Sequence, residues 1–134
     1  MSGAYSRNKG ATAERELCKL LSDYLGGTYC RNLKQFQQSQ HGDIEQLVGP
    51  YLVEAKNCAK VTIRPWWAQA CAAAAARGGV PCVAYRLPNR ALEDRWRFVV
   101  PMQGVWNTGA AWRDDIRYTV EVGIEGFAFL CREG

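Results

Sequence analysis

The segment GDIEQLVGPYLVEAK, residues 42–56, constrains the fold of this chain more than any other stretch. Two runs of strand-forming residues flank Gly49-Pro50, which predicts a β-hairpin with a two-residue tip. Residues two apart share a face of a strand, so Glu54 and Lys56 point the same way. In this register Asp43 lies opposite Lys56 on the partner strand and diagonal to Glu54. The hairpin therefore predicts a cluster of charged groups on one face of a sheet.

The register of this hairpin determines whether Asp43 lies on the same face as Glu54 and Lys56. A two-residue tip pairs Val48 with Tyr51, whereas a slip of one residue would turn Asp43 to the other face. Proline is uncommon at the second position of a two-residue turn, so a longer loop is an alternative.

The three charged side chains suit phosphodiester hydrolysis. Two carboxylates on diagonal positions, Asp43 and Glu54, can converge on one cation. Mg²⁺ takes oxygen ligands and keeps some of its waters, lowers the pKa of a bound water and stabilises charge on a phosphate. Lys56 beside it can orient that water or stabilise the transition state. A half-exposed strand with surface salt bridges would carry the same residue types.

The segment over residues 9–25 predicts an amphipathic helix, with apolar residues at helical spacing. Glu14 falls at the edge of the apolar stripe, where a carboxylate is costly unless it is paired. A third metal-site carboxylate would explain this position, and so would pairing with an arginine or with backbone amides. Glu16 aligns with Lys19 and Asp23, which predicts a place on the solvated side.

Later segments complete an α-β-β-β-α-β core with a C-terminal β addition. Arg64-Pro65 predicts the start of a second helix, rich in alanine, that ends at Gly78-Gly79. VPCVAYRL and WRFVVPM are typical of strands, and IRYTVEV and GFAFLC are interpreted as strands too. The predicted fold class is α/β, a mixed β-sheet flanked by helices.

Composition limits the class of protein. A length of 134 residues predicts one domain, residues 1–134. No apolar run is long enough to cross a membrane, and the first residues lack the apolar run of a secretory signal, so we expect a cytoplasmic protein. Six cysteines without a CxxC pair, and one histidine, argue against zinc and favour reduced, buried thiols. The net charge of +4 is compatible with a nucleic-acid partner.

Three ordered blocks resemble the archaeal-type Holliday junction resolvases, which belong to the PD-(D/E)xK nucleases. They are RNKGATAERELCKLL, GDI…YLVEAK, and GGVPCVAYRL followed by WRFVV, and they span about residues 7–100. The resemblance implies a restriction-endonuclease-like mixed sheet, a homodimer, and cleavage of four-way DNA junctions with Mg²⁺, for which Mn²⁺ can substitute. The segment 101–134 does not match and is predicted to be a C-terminal β extension. A bacterium or a phage-infected cell would be a natural source.

The resemblance also implies roles for single residues. Glu14, Asp43 and Glu54 would be the metal-site carboxylates, with the backbone carbonyl of Ala55 as a further ligand, and Lys56 would be the motif lysine. Arg7 and Lys9 would contact the DNA backbone. Gly42 replaces the proline that often precedes the motif aspartate.

A few further residues are candidates for the same site. Gln69 lies one turn into the second helix, where related nucleases use a glutamine or lysine near the metal; an ordinary polar position explains it as well. Basic and polar residues around the carboxylates suggest contacts to phosphates, although each alone is typical of a solvated surface. These predicted DNA contacts are Arg31, Lys34, Ser39, Lys60 and Arg64. Trp66 and Trp67 are expected to pack against the sheet.

The residues are therefore best explained by a dimeric, Mg²⁺-dependent endonuclease of the Holliday junction resolvase type. The same site would serve a nuclease that cuts other branched or linear DNA, because fold and metal chemistry do not set the substrate. A non-catalytic DNA-binding relative and a dimerisation domain built on the alanine-rich helix are the remaining alternatives.

Overall fold

The computed structural model of the protein describes residues 3–27, 29, 47–57, 59–102 and 112–133. The segment TYCRNL after α1, which the sequence also predicts to be a short strand, lies outside these residues except for Tyr29, and so does the first strand of the hairpin up to residue 46. The described elements follow one another along the chain as follows: α1 Gly3–Leu25, β1 Tyr51–Lys56, α2 Ile63–Arg77, β2 Val80–Arg86, α3 Leu92–Arg95, β3 Trp96–Pro101, a 3₁₀ turn Ile116–Tyr118, β4 Thr119–Val122 and α4 Ile124–Glu133.

The four strands form one sheet in the order β1-β2-β3-β4. β1 and β2 are parallel and are joined through α2, whereas β2–β3 and β3–β4 are antiparallel. Parallel neighbours require a crossover connection, and the alanine-rich helix supplies it. The structure thus confirms the predicted fold class, an α/β fold with a mixed sheet and flanking helices. The tip of the hairpin is also present, since Val48 pairs with Tyr51 across Gly49-Pro50.

Helix α2 covers one face of the sheet, which we call the α2 face. Trp66 and Trp67 are buried there against Val83 and Val99, which confirms that the tryptophans pack on the sheet. Small side chains let the rest of the helix approach closely, because Ala73 and Ala74 contact Leu52 of β1 and all three are buried. Pro65 is the third residue of α2 and not the first, still within the first turn, where its missing N–H leaves no helical hydrogen bond unmade.

Helices α1 and α4 cover the opposite face. Leu17, Leu20 and Leu21 of α1 are buried there, together with alternate residues of the strands such as Val53 and Phe98. Helix α4 supplies the rest of this layer through Ile124 and Phe127.

The prediction that GFAFLC is a strand is wrong, because these residues lie in α4. Ile124, Phe127, Ala128 and Cys131 recur at the spacing of one helix face, and the first three are buried. Phe127 stacks on Phe98 of β3, with ring centroids 4.3 Å apart. The C-terminal β addition is therefore the single strand β4, followed by a helix that completes the core.

Helix α1 is longer than predicted, and Asn8, which the sequence suggests as the N-cap of a helix over residues 9–25, lies inside it and does not cap it. Its 23 residues extend for about 34 Å. Near its end the Tyr24 carbonyl accepts a hydrogen bond from Arg132 of α4, and the neighbouring Cys131 contacts the Val48 carbonyl. Glu16, by contrast, contacts the last residue of β2. We call the end of the sheet at which β1 and β2 terminate the carboxyl end. The helix thus begins beyond the carboxyl end of the sheet.

The described cysteines agree with the prediction of reduced, mostly buried thiols. Cys18, Cys71 and Cys82 are buried and Cys131 is half-buried, and none of these four forms a disulfide. Burial raises the pKa of Cys71 and of Cys131 to about 12, so both thiols stay protonated near neutral pH. Cys30 and Cys58 lie outside the described residues. None of the helices in the described part of the chain combines the length and hydrophobicity needed to span a bilayer.

Candidate active site at the carboxyl end of the sheet

Strand β1 places two of the predicted catalytic side chains on the α2 face. Leu52 is buried against α2, and the alternation of side chains along a strand directs Glu54 and Lys56 the same way. Both are half-buried, in contrast to the buried residues at the start of the strand. β1 therefore begins as core and ends as a polar surface at the carboxyl end.

Helix α2 brings Gln69 to this surface. The Lys56 ammonium donates a hydrogen bond to the Gln69 side-chain oxygen at a distance of 2.9 Å. This contact fixes the direction of a long, flexible side chain that would otherwise sample many rotamers. The residue predicted to lie near the metal is thus in direct contact with the motif lysine.

Glu54 has apolar neighbours on the second strand. In the parallel register it lies beside Val83, which is fully buried, while Lys56 lies beside Tyr85. A carboxylate at the margin of a core interacts more strongly with a cation than one in open solvent, because less water screens it. The setting suits a metal ligand. Ala55 points to the α1–α4 face and packs at the edge of that core, and its backbone lies between the two motif residues.

Glu14 is near the carboxyl end as well, on the helix that covers the other face. It is half-buried and flanks the apolar stripe of α1, next to the buried Ala13 and Leu17, as predicted. Glu14 therefore lies near this end of the sheet, on a helix that covers the face opposite to that of Glu54.

The prediction that Glu16 is on the solvated side is wrong. Its carboxylate accepts three hydrogen bonds, from Arg86 at 3.0 Å, from Arg95 at 2.8 Å and from the indole of Trp96 at 2.9 Å. Burial acts to raise its pKa, but the hydrogen bonds from Arg86 and Trp96 and the charges of both arginines outweigh burial and lower the pKa. Helical spacing to Lys19 and Asp23 suggests solvent, whereas partners 70 to 80 residues away in the sequence determine its surroundings.

A second polar cluster on the α2 face was not predicted. Tyr85 donates a hydrogen bond to Glu121, which also accepts one from Arg97 at 3.2 Å. Burial and the bond to Glu121 raise the pKa of Tyr85 to about 12, so the phenol remains a donor. Alternation along β2 places Tyr85 on this face, but its partners come from β3 and β4, whose pairing the sequence alone does not reveal.

The predicted DNA contacts are only partly within the described residues. Lys60 is exposed in the loop after β1. Arg64 lies about 140° around α2 from Gln69, beside Asp115, in a cleft of about 540 Å³ that is also lined by Arg117. The side chains of Arg7 and Lys9 on α1, and all of Arg31, Lys34, Ser39 and Asp43, lie outside them.

The predicted metal ligands at this end would offer oxygen atoms. Within the residues that the structure describes, no three His, Cys, Asp or Glu side chains gather closely enough to hold a metal ion, and Asp43 is not among those residues. If Glu54 and Glu14 hold a cation, their carboxylates would be hard oxygen ligands, which fit Mg²⁺ or Mn²⁺ better than a metal that prefers sulfur or nitrogen.

A mixed sheet flanked by helices, with Glu-x-Lys at the end of a strand, is consistent with the restriction-endonuclease-like fold of PD-(D/E)xK nucleases. Comparison with known families matches residues 5–123 to the family described as "Phage putative PDDEXK endonuclease". This match covers most of the chain, and the protein belongs to that family. The match continues past residue 100 through β4, further than the resemblance in sequence. Comparisons with curated proteins and with solved structures gave no significant match.

Proposed function

We propose that this protein is an endonuclease that hydrolyses phosphodiester bonds of DNA with a divalent cation. The observation that carries the proposal is the pair Glu54 and Lys56 at the carboxyl end of β1, with Lys56 held by Gln69 at 2.9 Å. A surface salt bridge on a strand would pair the lysine with a carboxylate. Among the described residues its hydrogen-bond partner is the neutral amide of Gln69, which does not neutralise the ammonium charge.

The residues divide the work as follows. Glu54, Asp43 and Glu14 would hold the cation, with the Ala55 carbonyl beside them. When bound, a divalent cation stabilises charge on the scissile phosphate and lowers the pKa of a water molecule. Lys56 would donate a hydrogen bond to a phosphate oxygen or orient the attacking water, and electrostatic stabilisation of this kind is often the largest contribution to catalysis. Gln69 would keep the ammonium aimed at that place.

For the substrate we propose a four-way DNA junction cut by a homodimer. The resemblance of the three sequence blocks supports it, and a two-fold dimer would present two equivalent sites, one for each nick. The net charge of +4 is compatible with a polyanionic partner. Other branched DNA or linear duplex remains the alternative substrate for the same site.

The decisive experiment compares a labelled four-way junction with a linear duplex of the same arm sequence. We expect paired nicks in the junction with Mg²⁺ or Mn²⁺, no cleavage with EDTA, and a mass in solution of two chains. Equal cleavage of both DNAs would support a nuclease but contradict the proposed preference for junctions. Cleavage of neither DNA, with binding retained, would favour a non-catalytic DNA-binding protein.

Gln69 offers a test of the contact with Lys56. We expect Gln69→Ala to slow single-turnover cleavage about two- to tenfold, since hydrogen bonds contribute about 0.5–1.5 kcal/mol and this one is exposed to water. The same substitution in a Lys56→Ala background should have no further effect, because the partner is already gone. Ala72→Gln, on the exposed side of the same helix, is the control. Equal losses from Gln69→Ala in both backgrounds would show that Gln69 does not act through Lys56.

A further inference from the structure

Glu16 joins three elements at the carboxyl end of the sheet. One oxygen accepts from Arg86 at the end of β2 and from Trp96 at the start of β3, and the other accepts from Arg95 of α3. About four fifths of its side chain is shielded from solvent, and those of both arginines are three quarters shielded. All of its donors are charged or buried, so the contact is stronger than a surface ion pair.

The apolar contacts of α1 do not by themselves fix its height on the sheet. Leu17, Leu20 and Leu21 form a smooth aliphatic stripe, and burial of apolar area is non-directional. Hydrogen bonds at 2.8–3.0 Å have narrow limits of distance and angle. Among the hydrogen bonds described between α1 and the sheet side of the fold, those of the Glu16 carboxylate therefore restrict the rotation and the height of this part of α1.

Glu14 lies two residues before Glu16, about 160° around the helix. Because Glu16 is held toward the ends of β2 and β3, Glu14 must lie on the other flank of the apolar stripe. We infer that Glu16 is a positioning residue that holds Glu14 at the metal site. This inference rests on the proposed function, in which Glu14 is a metal ligand. Partners that orient ligands affect metal affinity without touching the ion.

The test measures binding of Mn²⁺ alone, by calorimetry and without DNA. Glu16→Gln keeps the size of the side chain but cannot accept from all three donors. We expect the Kd for Mn²⁺ to rise about tenfold, as for other outer residues of metal sites, and the concentration of Mn²⁺ at half-maximal cleavage to rise in parallel. A loss of folded protein alone would lower the number of sites and leave the Kd unchanged.

Three variants make this result specific. Glu14→Gln should weaken Mn²⁺ binding by itself, and adding Glu16→Gln to it should weaken binding no further. Lys19→Ala removes an exposed ion pair on the same helix and should leave the Kd unchanged. Arg95→Gln, which removes the charged Arg95 donor to Glu16, should shift the Kd in the same direction. This variant replaces Glu16→Gln as the test if Glu16→Gln does not fold.

Two results would overturn the inference while leaving the proposed nuclease intact. They are an unchanged Kd in Glu16→Gln, and equal weakening by Glu16→Gln with and without Glu14→Gln. A Glu14→Gln protein that binds Mn²⁺ as well as the wild type would instead remove Glu14 from the metal site, and with it the role of Glu16. Full cleavage by that variant would show that the nuclease acts without Glu14.

Discussion

Replacing Glu54 with Gln is expected to slow DNA cleavage at least about a hundredfold, because a cation contributes several kcal/mol to stabilising the transition state and each 1.36 kcal/mol is tenfold. Binding of DNA should stay within about twofold of the wild type, since removing a negative charge does not weaken attraction to phosphates. Single-turnover cleavage and binding in Ca²⁺ or EDTA measure the two effects separately.

Glu125→Gln is the matched control for this substitution. Glu125 is an exposed carboxylate in the first turn of α4, so neither cleavage nor folding should change. Asp43→Asn should resemble Glu54→Gln if the predicted hairpin register is correct. Residual cleavage by Glu54→Gln above about a tenth of the wild-type rate would be too much for a lost metal ligand and would contradict the proposed role.

Replacing Phe127 with Ala is expected to lower the free energy of unfolding by about 3–5 kcal/mol, the usual range for a buried phenylalanine. The ring is fully buried between Phe98 and Tyr51, with centroids 4.3 and 5.1 Å away. A loss of this size is a large part of the stability of a small domain. Urea unfolding followed by circular dichroism gives the change directly.

Phe129→Ala provides the control on the same helix, two residues away. Its side chain is 60% exposed, so we expect a change of no more than about 0.5 kcal/mol. Similar losses from Phe127→Ala and Phe129→Ala would mean that α4 does not pack as described. A small loss from both would mean that the C-terminal helix contributes little to the core.

Local pattern was sufficient to predict much of this fold. β2 and β3 are apolar runs of strand length and were found where predicted, because burial on both faces leaves a continuous apolar signature. The alanine-rich helix was predicted from its composition and from the glycines after it. The tip of the hairpin followed from Gly49-Pro50, whose pairing of Val48 with Tyr51 needs only adjacent residues.

The predictions from sequence failed where a distant partner determines the surroundings of a residue, or where a longer stretch of sequence is needed to recognise a helix. In α4, Phe127 and Phe129 alternate like strand residues, and only the spacing of Ile124, Phe127, Ala128 and Cys131 reveals a helix. Glu16 was assigned to solvent because its neighbours on the helix are polar, whereas Arg86 and Trp96 come from the other half of the chain. For the site, spacing put Glu54 and Lys56 on one face, but the contact between Lys56 and Gln69 depends on how α2 crosses the sheet.

The directions of α1 and α4 have a practical consequence for experiments. Both helices run from the carboxyl end of the sheet toward the opposite end, where Arg132 contacts Tyr24. A fusion partner or fluorescent label attached behind α4 would be held roughly 20 Å, the length of a six-residue strand, from the site. One attached ahead of α1 would project near the proposed active site and, if DNA binds there, would interfere with its binding. For binding measurements, tags are therefore best attached behind α4.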